Sequence, residues 1–151
     1  MRILILSTTT GYQLRAFNDA AKKLGWELAF ATDRCKKLDD PWQDHAVSVK
    51  FHEADRKRSL ANIARAAKRA TIDGVIAVGD RPVVLAALAA EQLGVRGNSP
   101  AAARVSTSKL LTRDALDRAG LPVPWFVRVA IDAPTESALD RVQFPCVIKP
   151  V

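Results

Sequence analysis

Two lysines stand where phosphate chemistry is physically reasonable. Lys109 follows Ser106-Thr107-Ser108 and opens a stretch of helical periodicity running to about Ala119. Each of the three hydroxyl side chains is able to cap that helix by accepting a backbone N–H bond. A cation in the first turn opposes the helix dipole, which favours acids there. It becomes favourable when an anion shares the helix N-terminus, so free N–H groups plus an ammonium make a phosphate site. Lys149 stands at the exit of the short apolar run Phe144-Pro145-Cys146-Val147-Ile148. Burying an unpaired ammonium costs several kcal/mol, so this lysine either reaches water or holds an anion. Taken singly, each reads better as a solvated surface lysine.

The surroundings of the two lysines say more than either alone. Gly97-Asn98-Ser99-Pro100 is a turn by composition, and an alanine-rich helix can follow from Ala101. After the Lys109 helix, Gly120 sits where a left-handed residue is wanted, and Pro122 and Pro124 stop the helix from resuming. The whole stretch, GNSPAAARVSTSKLLTRDALDRAGLPVP and later FPCVIKP, resembles the start of the ATP-grasp domain. That superfamily includes biotin carboxylase, carbamoyl phosphate synthetase, glycinamide ribonucleotide synthetase and the amino-acid ligases. Its pattern is G-N-S/T-P, a helix opening with Asp-Lys, then A-G-(I/V/L)-P-(V/T)-P, then an apolar strand ending in K-P. The resemblance places Lys109 and Lys149 as the two nucleotide-contacting lysines. The chain departs from the pattern at Ser108, where Asp usually precedes the lysine; serine also caps.

What the resemblance implies is a ligase using ATP and Mg2+ to activate a carboxylate for attack by an amine or similar nucleophile, with carboxylation as a variant. It also implies a division into a pre-ATP-grasp domain, residues 1–98, and the beginning of an ATP-grasp domain, residues 99–151. The family's glycine-rich phosphate flap, metal-binding acids and catalytic arginine are expected beyond Val151. No catalytic residue and no metal ligand is therefore assigned within these residues, and the 151-residue chain is expected to be inactive alone. Trp125–Val129 and Cys146–Val151 are expected as strands lacking their neighbours, so that Trp125–Val151 is either mobile or paired with a second copy of the chain.

The elements that would position such a site follow from hydrophobic pattern. Arg2–Ser7 is a continuous apolar strand, as in a sheet covered on both faces. A helix from Tyr12 to Leu24 puts Leu14, Phe17, Ala21 and Leu24 on one stripe. Strands are expected at Trp26–Thr32, Ala46–Phe51 and Gly74–Val78, with a fifth near Val95. Ser59 is expected to cap a helix with Leu60, Ile63, Ala64 and Ala67 inside and Asn62, Arg65 and Lys68 in water. Asp80 is expected to cap the helix Val83–Leu93, which is apolar nearly all round and so needs cover on more than one side. Leu24-Gly25, Leu93-Gly94 and Ala119-Gly120 share one grammar of helix, glycine stop and apolar segment. The result is an α/β fold: an open parallel sheet with helices on both faces, Rossmann-like.

In such sheets ligands bind beyond the carboxyl ends of the strands. Three polar loops belong there. Thr9, Thr10 and Gly11, together with Arg34, Asp80 and Arg81, are the candidate substrate-binding residues, the arginines suiting a carboxylate or phosphate. The competing assignment makes Asp33 and Asp80 simple caps paired with the neighbouring arginines.

Composition narrows the alternatives. The net charge is +7 and the pI about 9.9, yet aromatics do not interleave with the basic runs as a single-strand nucleic-acid binder requires. The charge reads as solvated helix faces that draw in anionic substrates, with no nucleic acid as partner. A basic anion- or nucleic-acid-binding module without catalysis is one alternative. A dinucleotide-binding Rossmann domain is the other, since Asp33 lies about 20 residues past the first loop; but Thr8–Gly11 holds one glycine, not G-x-G-x-x-G. No apolar run approaches the ~20 residues of a membrane span. Cys35 and Cys146 lie far apart without metal-ligand spacing, which fits a reducing, cytoplasmic setting.

Overall fold

The computed structural model describes residues 1–8, 14–34, 45–132, 134, 136 and 140–149. Strand β1, Arg2–Ser7, is the centre of the first compact unit, Met1–Thr107. It pairs in parallel with β2, Glu27–Thr32, on one side and β4, Gly74–Val78, on the other. Strand β3, Val47–Ser48, adds to the outer side of β2, also parallel, giving the order β3-β2-β1-β4. The expected fifth strand is reduced to a single bridge between Gly74 and Arg96.

The continuous apolar run of β1 is explained by burial on both faces. Successive side chains alternate across a strand. Leu4 and Leu6 therefore meet one layer, with Ala31, Val49, Ile63, Leu85, Ala86 and Ala89. Ile3 and Ile5 meet the other, with Val78, Leu14, Phe17, Leu28 and Phe30. Helix α1, Leu14–Leu24, covers the second face, while α2, Arg56–Ala67, and α3, Val83–Leu93, cover the first. Crossovers between parallel strands are right-handed, so helices on opposite faces mean that the chain reverses direction across the sheet. Helix α3 packs on β4, on α2 and on α4, Pro100–Ser106, which explains its near-uniform apolarity. The first unit thus takes in α4, whose Ala103 is buried.

Helices α1 and α3 end in one way. The amide of Trp26 reaches back to the carbonyl of Ala21, and that of Val95 to Ala90. Gly25 and Gly94 sit between with φ of 64° and 66°. This double closure needs a left-handed residue, which glycine adopts without steric cost. Gly97 answers to a different demand: a Cβ there would lie 2.6 Å from the Cβ of Ala90, so the chain passes α3 at glycine distance.

Several local expectations are corrected. Leu24 is exposed, not part of the buried stripe. Ser59 is not a cap: α2 begins at Arg56 after a 3-10 turn at Glu53–Asp55. Ser59 is buried instead, accepting from the Lys50 amide at 2.8 Å and donating to the Lys50 carbonyl at 2.9 Å. Asn62 turns from water to the sheet edge, donating to the Ser48 carbonyl at 2.9 Å. Asp80 does not cap α3; Pro82 holds the cap position without a side-chain bond.

The second unit, Ser108–Val151, contains α5, Lys109–Arg118. Ser108 caps it, accepting from the Leu111 amide at 3.3 Å. The turn closes as in α1 and α3, by a bond from the Leu121 amide to the Leu116 carbonyl at 3.0 Å. Beyond it, Arg113 donates to the Pro124 carbonyl at 3.1 Å and stacks over Phe126, 5.6 Å from the ring centre. The expected strands at Trp125–Val129 and Cys146–Val151 do not form among the described residues. A strand needs a neighbour for its ladder, and no such pairing is present there; Trp125, Phe126, Val147 and Ile148 are exposed.

Replacing Ser59 by alanine leaves both the amide and the carbonyl of Lys50 without their buried partner. Ser59→Ala is expected to cost about 1–3 kcal/mol. Urea unfolding should show a lower midpoint at unchanged slope.

Candidate functional site

The strand order sets which connections meet at the carboxyl end of the sheet. From β1 the chain goes out to β2, and it returns from β3 through α2 to β4 on the other side of β1. Helix α1, which follows β1, and helix α3, which follows β4, lie on opposite faces, the topology at which α/β sheets generally take ligands beyond the carboxyl ends of their strands. Ser7 and Val78 are paired at that end. Thr8, half-buried, follows Ser7, and the candidates Thr9, Thr10 and Gly11 lie outside the described residues.

After β4 the chain turns at Gly79, with φ of 91°, a conformation that side-chain-bearing residues rarely adopt. Asp80 and Arg81 follow, both exposed. The Val83 amide closes the turn on the Asp80 carbonyl at 3.3 Å. Because α3 has no side-chain cap, the Asp80 carboxylate is not committed to that role. Pro82 is fully buried and anchors the start of α3. The two charged side chains are thus carried on a turn fixed at both ends.

Arg34 lies beyond the end of β2, on the other side of β1. Its Nε donates to Thr32 Oγ1 at 3.0 Å and its amide to the same oxygen at 3.3 Å. Thr32 is 4% exposed, so the guanidinium is steadied from a buried residue. Nearby, Lys50 Nζ donates to the Asp33 carbonyl at 3.4 Å. The Ser59 clamp holds the Lys50 backbone from below. The sheet therefore gathers Arg34, Lys50, Asp80 and Arg81 along one edge, from three different connections. Guanidinium and ammonium groups on a rigid edge suit an anionic ligand.

Lys109 and Lys149 both belong to the second unit, and both are exposed. Lys109 is the first residue of α5, with Ser108 beside it as cap. The cap satisfies the Leu111 amide only. Among the described residues no group of three or more His, Cys, Asp or Glu side chains is placed to hold a metal ion.

Two contributors were missed in the sequence. Lys50 was read as part of a longer strand; its signal was the polar residue closing the run Val47-Ser48-Val49. Ser7 was read as a strand end. It is fully buried, and its Oγ has no hydrogen-bond partner among the described residues. By alternation it shares the face of Ile3 and Ile5. An orphaned buried hydroxyl at the carboxyl end of the central strand is unusual, because such groups are nearly always paired.

A four-stranded parallel sheet with helices on both faces, bearing charged groups at its carboxyl edge, defines the first unit as an open-sheet α/β domain. Its sequence matches the model of the ATP-grasp N-terminal domain over residues 17–96, and the chain belongs to that family. It is 35% identical over 132 residues to N5-carboxyaminoimidazole ribonucleotide synthase from Synechococcus elongatus, covering 86% of this chain and 31% of that protein. Its fold is similar to that of an L-amino acid ligase from Bacillus licheniformis, with a TM-score of 0.65 at 20% identity over 82% of this chain and 31% of that one. It is also similar to phosphoribosylglycinamide synthetase from Anaerococcus prevotii, with a TM-score of 0.56 at 20% identity over 95% of this chain and 35% of that one. The chain spans about a third of the length of these relatives.

Ser7→Ala removes a buried polar group that has no partner to lose among the described residues. It is expected to leave stability unchanged or raise it by about 1 kcal/mol, against the ~1 kcal/mol loss typical of buried substitutions. Thermal melts of the two forms check this.

Proposed function

We propose that this chain is the N-terminal portion of an ATP-dependent ligase that activates a carboxylate as an acyl phosphate for attack by an amine. The observation that carries the reading is the family match across the sheet domain. The similarity to the ribonucleotide synthase over 132 residues supports it. Membership of the ATP-grasp N-terminal family, with a single glycine in Thr8–Gly11, argues against a dinucleotide-binding Rossmann domain.

In this reading ATP, when bound, supplies the phosphoryl group that activates the carboxylate. Lys109 and Lys149 neutralise its phosphates, and the N-terminal amides of α5 share that charge. An exposed lysine beside a capped helix start fits this role. Magnesium, which the family uses, takes its ligands from the remainder of the whole protein, beyond Val151. The carboxyl edge of the sheet holds the acceptor substrate: Arg34 and Arg81 bind its negative group, and Asp80 with Thr9, Thr10 and Gly11 orients it. The partners are thus small-molecule carboxylates and amines. A second copy of the chain is a further partner, meeting the exposed apolar residues of the second unit. No helix among the described residues is long and apolar enough to cross a membrane, and the reading is of a cytoplasmic enzyme.

The test is phosphate release by the whole protein with ATP, magnesium and a panel of carboxylates and amines. Release is expected to require one member of each class. Lys109→Ala should raise KM for ATP by about tenfold or more, the loss of one charged hydrogen bond. An unchanged KM with full activity would remove Lys109 from the nucleotide site. The 151-residue chain alone should bind ATP weakly or not detectably by calorimetry, and micromolar affinity there would contradict the assignment.

A further inference from the structure

Away from the carboxyl ends of β1 and β4, a groove of about 250 Å³ runs between the edge strand β3 and helix α2. Among the described residues it is lined by Val47, Ser48, Asn62, Arg65, Ala66 and Arg69. Val47 and Ala66 are its apolar elements. Ser48, Asn62 and the two arginines are its polar ones. Since β3 and β4 are opposite edges of the sheet, the groove is distinct from the carboxyl ends of β1 and β4.

Arg65 stands in the last turn of α2 and Arg69 just past its end, and both line the groove. Asn62 links the elements: its amide donates to the Ser48 carbonyl at 2.9 Å, and its oxygen accepts from Arg65 Nη1 at 3.4 Å. The guanidinium of Arg65 is thereby tied to the sheet edge, and both arginines line one concavity.

The rest of α2 reinforces the charge. At about 100° per residue, Lys57, Arg58 and Arg65 fall within one arc of roughly 100°, and Lys68 and Arg69 follow at the end of α2. All five are exposed. No acidic residue interrupts the arc, and Arg56, outside it, carries the helix's ion pair, with Glu53 at 2.8 Å. Cations near the C-terminus of a helix are favoured by its dipole, which accounts for Lys68 and Arg69. The dipole disfavours Lys57 and Arg58 in the first turn, where no acid is present. Helix stability alone therefore does not explain the pattern.

We infer that the β3–α2 groove is a binding site for a phosphate monoester, held by Arg65 and Arg69 with Ser48 as a further hydrogen-bonding group. Two guanidinium forks match the several oxygens of a phosphate better than the two of a carboxylate. The surrounding cations favour a dianion over a monoanion. The limited volume and the small side chain of Ala66 admit the phosphate and a short apolar or sugar body. This site stands independently of the proposed ligase reaction.

The test uses the 151-residue chain and follows backbone amide shifts during titration. The probes are inorganic phosphate, ribose 5-phosphate, acetate and a short DNA duplex. Saturable shifts centred on Val47, Ser48 and Asn62 to Arg69 are expected with phosphate and ribose 5-phosphate, and much weaker ones with acetate. The double variant Arg65→Gln/Arg69→Gln should weaken phosphate binding about tenfold or more. The control Lys57→Gln/Arg58→Gln removes equal charge from the same helix and should change it by about threefold or less. Equal losses in the two variants would reduce the effect to general electrostatics and overturn the site. So would acetate binding as tightly as phosphate, or shifts that never saturate. Duplex binding with a steep salt dependence, without phosphate or ribose 5-phosphate binding, would replace it with a nucleic-acid surface.

Discussion

Burial of β1 on both faces is the constraint that the first unit obeys throughout. Ile3, Leu4, Ile5 and Leu6 are each at most 6% exposed. At about 25 cal/mol per Å² of apolar area, burying four such side chains is worth several kcal/mol. A strand wrapped this way needs helices above and below it. Parallel neighbours then require crossovers, and the handedness of crossovers decides which helix lies on which face. The parting of α1 and α3 to opposite faces beyond β1 and β4 is a by-product of that packing. Charged groups appear at the carboxyl edge because backbone ends there are solvated and side chains are not committed to the core.

Much of this was readable in the sequence because it rests on short-range pattern. The apolar run Ile3–Leu6 announced a central strand, and the glycines after α1, α3 and α5 announced their closures. The uniform apolarity of α3 announced a third packing partner, which is α4. What was not readable depends on contacts distant in sequence. Ser59 looks like a cap because serine caps helices more often than it bridges a loop; only the position of Lys50, on another element, makes it a clamp. Asn62 looks solvated for the same reason. Gly97 looked like a turn residue, whereas its small size is required by Ala90 across the loop. The strands expected near Trp125 and Cys146 depended on neighbours that local sequence does not supply.

For the site, the sequence indicated the right edge of the sheet but an incomplete set of residues. Arg34, Asp80 and Arg81 were visible as polar residues after apolar runs. Lys50 became visible only with the β2–β3 pairing, because its distance from Arg34 in sequence hides their shared support through Thr32 and Val49. Charge sign follows a similar logic. A net charge of +7 says little by itself, while its concentration on one face of α2 is a structural statement. The carboxyl edge and the α2 face are both positive, and an anionic metabolite would meet an attractive field from either direction.

The shortness of β3 bears on how this domain breathes. Two residues of ladder cannot hold an edge by themselves, and this one leans on α2: Asn62 takes its carbonyl, and Ser59 takes the backbone just beyond it. Helix and edge should consequently detach as one cooperative unit in partial unfolding, while β1, β2 and β4 remain zipped. The amide protons of Val49 and Lys50 would then exchange with solvent at the pace of α2, not of the central strands.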